Sequence, residues 1–380
     1  MNPRALSIGS ASALVVAGLF VSLPANAVET TCQGQAITIA ATADNQLMEG
    51  TDGADVISAV GFVNVRIDAN GGDDLVCGGR YSIVEGGPGA DTFVNKRYAT
   101  LDYTKATAGV QIDLAAGAVV DGGETDTVIG FHSVDGSAYA DTFVGTSGDD
   151  LYRSFTPGEA SEQDRDVIEM GAGDDQVVTN GGKVDLGPGA DRATAIGANV
   201  QGGVGDDRID LVLTGVANGG AGDDVLTAQG AATGLAPGVD RFVLNGGPGR
   251  DQLAQPQSAS NGEHKRCPEV CALADINGGS GRDLLLLGPY RGVVDLAAGR
   301  SRTSNGRADL QSIEDVRGSS RSDVIRGDAG RNRFDGFRGD DLLVGRGGDD
   351  ILRGDDGTDR AVGGAGRDRC DAEVRRSCAG

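Results

Sequence analysis

Along the last sixty residues apolar residues recur at Val324, Phe334, Leu343, Leu352 and Ala361, set among glycine and polar residues. Each follows within two positions an acidic or amide residue: Asp323, Asn332, Asp341, Asp350 and Asp359, with Asp368 closing the series. These residues are nine apart throughout. Glycine stands two residues before most of them, at Gly330, Gly339, Gly348, Gly357 and Gly366. The pattern is G-x-x-G-x-D-x-U-x with U apolar, and Gly363-Gly364-Ala365-Gly366-Arg367-Asp368 is its cleanest copy. A fixed short period predicts a solenoid. The glycines supply turns that need unusual backbone angles, and each apolar position opens a short strand whose side chain enters the interior.

A looser form of the rhythm starts at Glu49. Asp55, Asp74 and Asp91 end glycine-rich turns at spacings of 19 and 17. Asp175, Asp191, Asp207 and Asp224 follow at 16, 16 and 17, each with glycine two positions before it. This spacing predicts coils of 16 to 19 residues with one acidic turn per coil and a plain turn opposite, and strands such as Asp210–Thr214 and Val225–Ala228 between turns. Gly246–Asp251 and Gly278–Asp283 are two further copies. A longer duplication is superimposed: Asp113-Leu114-Ala115-Ala116-Gly117 recurs as Asp295-Leu296-Ala297-Ala298-Gly299, an offset of 182. At that offset Asp141 falls on Asp323 and Tyr152 on Phe334, and Asp150 continues the acidic positions after the first copy. Residues 254–274, with Pro256 and Pro268, interrupt the rhythm as a surface loop.

The nonapeptide resembles the calcium-binding repeat of the RTX (repeats-in-toxin, haemolysin-type) proteins. The resemblance implies an all-β fold, a parallel β-roll or β-helix solenoid in which two nonapeptides make one coil and calcium ions lie between successive coils. Calcium is a hard cation that takes six to eight oxygens from carboxylates and backbone carbonyls. The implied metal positions are Asp55, Asp74, Asp91, Asp141, Asp150, Asp175, Asp191, Asp207, Asp224, Asp251, Asp283, Asp323, Asn332, Asp341, Asp350, Asp359 and Asp368. Carbonyls come from turn glycines including Gly86, Gly89, Gly202, Gly219, Gly246, Gly278 and Gly363. Asp323, Asp341 and Asp359 would line one edge, and Asn332, Asp350 and Asp368 the other. In doublets such as Asp73-Asp74, Asp206-Asp207 and Asp349-Asp350, one carboxylate fits the metal position and its predecessor extends the ligand set or faces water. The chain then divides into a signal peptide (1–27), a first repeat pass with its DLAAG module (28–160), regular solenoid repeats (161–253), the loop with a cysteine pair (254–274), a second DLAAG module (275–317), and a nonapeptide roll with a disulfide-capped end (318–380).

Composition supports this division. With 64 glycines, no tryptophan and 4% aromatics the chain is poor material for an ordinary compact core. A net charge of −23 repels itself unless cations relieve it. It also argues against nucleic acid, which requires clustered positive charge. Arg4, the apolar run Ala11–Leu23 and Ala25-Asn26-Ala27 read as an export signal cleaved after Ala27, which implies a secreted protein. No second apolar stretch approaches twenty residues, so membrane insertion is not expected. Six cysteines in an exported chain suggest disulfides, paired locally as Cys32–Cys77, Cys267–Cys271 and Cys370–Cys378. The only imidazoles are His132 and His264, and there is no G-x-S-x-G, H-E-x-x-H or G-K-[ST] after a glycine loop. The expectation is therefore a non-enzymatic calcium-binding protein. A calcium-dependent adhesion module with a surface polysaccharide or protein partner is the alternative, and a lyase- or epimerase-like β-helix a more distant one.

Overall fold

The computed structural model describes residues 30–95, 98–154, 165–230, 241–258, 272–304 and 306–378. The expected signal peptide, His264 and the Cys267–Cys271 pair lie outside the described residues. Among the described residues there is no α-helix, and strands of two to ten residues stack as two long parallel sheets. The protein is an all-β parallel solenoid.

Each coil contributes one strand to each sheet, and the inward residues form columns. One column runs Met48, Ile67, Val84, Leu101, Val134, Tyr152, Val177, Ala193, each partnered with the next across parallel strands. It continues through Ile209, Leu226, Leu253, Leu285, Val316, Phe334 and Leu352 to Cys370. Every member is buried. The facing sheet carries Ile168, Val184, Val200, Ala217, Leu244 and Ile276. In the C-terminal coils it carries Ile325, Leu343 and Ala361. A three-residue strand such as Ile351–Arg353 turns only its central side chain inward, because side chains alternate between faces. One fully buried apolar residue per strand per coil is thus enough, and apolar neighbours such as Leu342 and Ile351 are only half-buried. The core is correspondingly thin, and the turns carry more of the burden of holding the coils together.

Both DLAAG copies are antiparallel excursions inside an otherwise parallel sheet. Gln111–Asp113, Ala118–Asp121 and Glu124–Ile129 form a meander. Its last strand pairs with the preceding coil at Thr92–Val94, and its first with the following coil at Thr142–Val144. Gly292–Asp295, Arg300–Thr303 and Gly306–Gln311 repeat the arrangement between Ala272–Gly281 and Val324–Arg326. The DLAAG turn is closed by its own aspartate: Asp113 Oδ1 accepts Ala116 N–H (2.7 Å) and Asp295 Oδ1 accepts Ala298 N–H (3.1 Å).

Some boundaries differ from the sequence reading. The strand expected at Asp210–Thr214 is Arg208–Val212, because it begins directly after the turn residue Asp207 and pairs in register with Arg192–Ile196. Val225–Ala228 extends to Gly230. Within 254–274, Gln257–Ser258 pairs with Gln229–Gly230, and a strand starts at Ala272. Disulfides join Cys32 to Cys77 and Cys370 to Cys378, each with Cα atoms 5.9 Å apart. The second ties the tail to the last core position, where a stack needs a cap.

Candidate metal centre

The repeat turn has six positions, from the residue five before the aspartate (position 1) to the aspartate itself (position 6). In Gly202–Asp207, Asp207 is buried and points inward on the same side as Ile209. Its Oδ1 accepts the Asp191 N–H of the preceding coil (2.9 Å), and its own N–H donates to Asp224 Oδ1 of the following coil (2.9 Å). The same bond links Asp150, Asp175 and Asp191 before it and Asp251, Asp283 and Glu314 after it. Asp55, Asp74, Asp91 and Asp126 form a shorter ladder. In the C-terminal coils two ladders run side by side. Asp323, Asp341, Asp359 and Glu373 form one, and Asn332, Asp350 and Asp368 the other. The carboxylate therefore continues the sheet's hydrogen-bond ladder into a turn where no strand backbone is available.

The second carboxylate oxygen is left without a partner. Among the described residues Oδ2 is buried and unbonded in Asp74, Asp91, Asp175, Asp191, Asp207 and Asp224, and likewise in Asp251, Asp283, Asp341, Asp350, Asp359 and Asp368. Where it points is visible at the position-1 glycines. A Cβ built on Gly345 would overlap Asp350 Oδ2 and come within 2.6 Å of the Gly363 carbonyl oxygen of the next coil. Gly336 stands in the same relation to Asp341 Oδ2 and Gly354 O, and Gly246 to Asp251 Oδ2 and Gly278 O. Gly202 repeats it with Asp207 Oδ2 and Gly219 O. Two acceptors from adjacent coils thus open onto one small space. A buried acceptor without a donor is costly, and a carboxylate against a carbonyl more so; a cation resolves both. Among the described residues no three side chains of His, Cys, Asp or Glu converge, so the donor set is carboxylate plus backbone carbonyl. Hard oxygens of that kind suit calcium. The residues present fit the ion.

Electrostatics agree. Burial raises the pKa values of Asp91, Asp175, Asp207, Asp251 and Asp341 to about 7 and those of Asp74, Asp191 and Asp350 to about 6. The backbone N–H on Oδ1 opposes that rise, and carboxylates of neighbouring coils add to it. Asp224, Asp283, Asp323 and Asp359 are raised in the same sense by burial. Asp55 is lowered, chiefly by the N–H of Thr51. A metal-free stack near neutral pH therefore holds rows of carboxylates that resist ionisation.

Not every expected position has this open oxygen. Asp55, Asp141, Asp150, Asp323 and Asn332 sit at position 6, but the side-chain oxygen that faces the turn accepts the N–H of the position-2 residue. In the turns of Asp74, Asp175 and Asp191, position 1 is Ala69, Met170 or Leu186, so a side chain starts where glycine leaves space. Gly89, at position 4 of its turn, packs against the Gly72 carbonyl of the preceding coil.

Sequence reasoning missed a second ladder. The first aspartate of each doublet caps the turn backbone of the next coil: Asp206 Oδ1 accepts Asp223 N–H (2.8 Å) and Asp349 Oδ1 accepts Arg367 N–H (2.8 Å). Asp73 and Asp174 do the same for Ala90 and Ala190. The two ladders run in opposite senses along the stack. The recurring doublet was the available sign, and these residues brace backbone where the sequence suggested extra ligands or solvent. Asp126, Glu314 and Glu373 also hold ladder positions without the glycine spacing that would have drawn attention to them.

A parallel solenoid with acceptor-only spaces between successive acidic turns is a cation-binding repeat protein. The family model for the RTX calcium-binding nonapeptide repeat (4 copies) matches residues 64–80, 134–152, 216–232, 317–352 and 335–370. These stretches of the chain thus carry RTX calcium-binding nonapeptide repeats. No match to a curated protein was found.

Proposed function

We propose that this is a secreted calcium-binding protein whose solenoid orders around ions held between successive turns, and that it acts by binding and not by catalysis. The carrying observation is the facing pair of buried acceptors, such as Asp350 Oδ2 and Gly363 O at Gly345. When bound, calcium would supply positive charge to bridge neighbouring coils. Asp350 and its equivalents would contribute carboxylate oxygen, and the position-1 residues of the next coil carbonyl oxygen. The Asp–Asp backbone ladder fixes each carboxylate in advance through Oδ1, leaving only Oδ2 to the ion. Dissociation constants of extracellular calcium modules lie roughly between 10⁻⁴ and 10⁻³ M. Such a chain would stay loosely ordered at low internal calcium and set after export.

The signal-like segment and the Cys32–Cys77 and Cys370–Cys378 disulfides support an extracellular location. His132, the one described imidazole, is engaged with Asp150 (Nδ1 to Oδ1, 2.8 Å), which supports a structural use for it. Among the described residues no helix is long and apolar enough to cross a membrane. The test is far-ultraviolet circular dichroism of the mature chain in chelator and in millimolar calcium. A gain of β signal that chelator reverses is expected, and indifference to both would overturn conditional folding.

A further inference from the structure

The acidic turns fall into two conformations. In the twelve turns whose Oδ2 is unpartnered, position 2 lies in the left-handed region: Gly203 has φ 111°, Arg346 77°, Phe337 72° and Asn70 66°. That its occupants include arginine and phenylalanine, which disfavour positive φ, shows that the conformation belongs to the turn and not to glycine alone. In the other five turns position 2 is Thr51, Ser137, Thr146, Ser319 or Asp328, none at positive φ. There the chain closes on itself twice over. The position-2 N–H donates to the residue at position 6: Thr51 to Asp55 (2.8 Å), Ser137 to Asp141 (2.7 Å), Thr146 to Asp150 (2.5 Å), Ser319 to Asp323 (2.5 Å), Asp328 to Asn332 (3.0 Å). The position-2 side-chain oxygen in turn accepts the N–H of position 4.

Resting on the calcium reading, we propose that these five turns hold no calcium, a backbone N–H doing there what the ion does elsewhere, with the side-chain oxygen at position 2 bracing the closed turn. Rotating position 2 out of the left-handed region swings its N–H onto the inward oxygen, so the acceptor-only space does not form. A cation brought there would meet an N–H and have to displace it. Further bonds complete the closure. Asp141 also accepts Val110 N–H (2.8 Å) and the Tyr152 hydroxyl (2.9 Å). Asp323 also accepts Gly292 N–H (2.5 Å). Asn332 carries no charge, and its Nδ2 donates to Glu314 O (3.2 Å).

The placement is not random. Asp141 with Asp150, and Asp323 with Asn332, follow the two antiparallel meanders, where the first meander strand must find the next coil. Asp55 lies one coil from the Cys32–Cys77 bridge. The solenoid thus has metal-free staples where its topology changes and metal-dependent turns along its regular runs.

Asp323→Asn and Asp341→Asn test this, because the two residues are neighbours on one ladder, and in each the amide keeps an Oδ1. Calcium per chain is counted by equilibrium dialysis with metal analysis, alongside the calcium midpoint of the dichroism change. Asp341→Asn should lower the count and raise the midpoint by roughly tenfold, since affinity follows ligand charge. Asp323→Asn should leave the count unchanged. Ser319→Ala, which keeps the backbone N–H and serves if Asp323→Asn does not fold, should also leave it unchanged while losing thermal stability equally in chelator and in calcium. A lower count in Asp323→Asn or Ser319→Ala overturns the proposal while leaving calcium binding intact. A wild-type chain that binds no calcium overturns the reading beneath it.

Discussion

Asp207→Asn should reverse its effect on stability according to whether calcium is present. Without the ion, Asp207 is a buried carboxylate whose pKa is pushed up to about 7 from 3.8. A shift of about three units corresponds to at most roughly 4 kcal/mol. Solvent near the turn reduces this to about 2 kcal/mol. The amide removes that charge, keeps an Oδ1 for the Asp191 N–H, and offers a donor near the Gly219 carbonyl. At pH 8 in chelator the variant should therefore be more stable by about 2 kcal/mol around these coils. With calcium at a hundredfold excess over its dissociation constant, the wild type gains about 2.7 kcal/mol from one site. The variant forgoes that gain and becomes the less stable by roughly 1 kcal/mol. Because solenoids unfold by segments, the assay is hydrogen exchange of the amides in Arg192–Ile196 and Arg208–Val212. A variant less stable in chelator, or still more stable in calcium, would refute the reasoning.

Without calcium the chain should be better ordered at pH 5 than at pH 8. The ladder aspartates have folded-state pKa values raised to about 6 or 7. Their contribution is fully present below the unfolded value near 3.9 and is lost as pH rises through 6 to 7; a dichroism titration in chelator checks it, and the opposite slope would contradict it. Gly345→Ala places a methyl in the space shared by Asp350 Oδ2 and Gly363 O. It should cost about 1–3 kcal/mol and lower the calcium count, as metal analysis would show. Phe334→Ala empties a core position and should cost about 3–5 kcal/mol. Faster hydrogen exchange should be confined to the adjoining Asp315–Arg317 and Ile351–Arg353, since each coil touches only its neighbours.

The coil, the aspartate columns and the two C-terminal edges were legible in sequence because one physical demand, an acid at the same point of each coil, repeats at fixed spacing. The pairings Cys32–Cys77 and Cys370–Cys378 were legible for a related reason, as local bridges at the two ends. What could not be read was the division among turns that share that acid. Gly145–Asp150 and Gly345–Asp350 both begin with glycine and end with aspartate, yet Thr146 closes one and Arg346, at φ 77°, leaves the other open. The deciding variable is one backbone rotation, and side-chain identity reports it only at serine and threonine. Asp makes the point: Asp328 sits in a closed turn, while Asp355, at φ 63°, sits in an open one. The meanders were hidden for another reason. DLAAG marks their tight turn, but nothing local says that the first strand pairs forward and the last backward.

The most direct test is a crystal structure of the mature chain grown in calcium, with difference density examined at Gly345. An ion about 2.3–2.6 Å from both Asp350 Oδ2 and Gly363 O is predicted, repeated along the open turns. No density there, with Asp350 Oδ2 instead bonded to a protein donor, would contradict it.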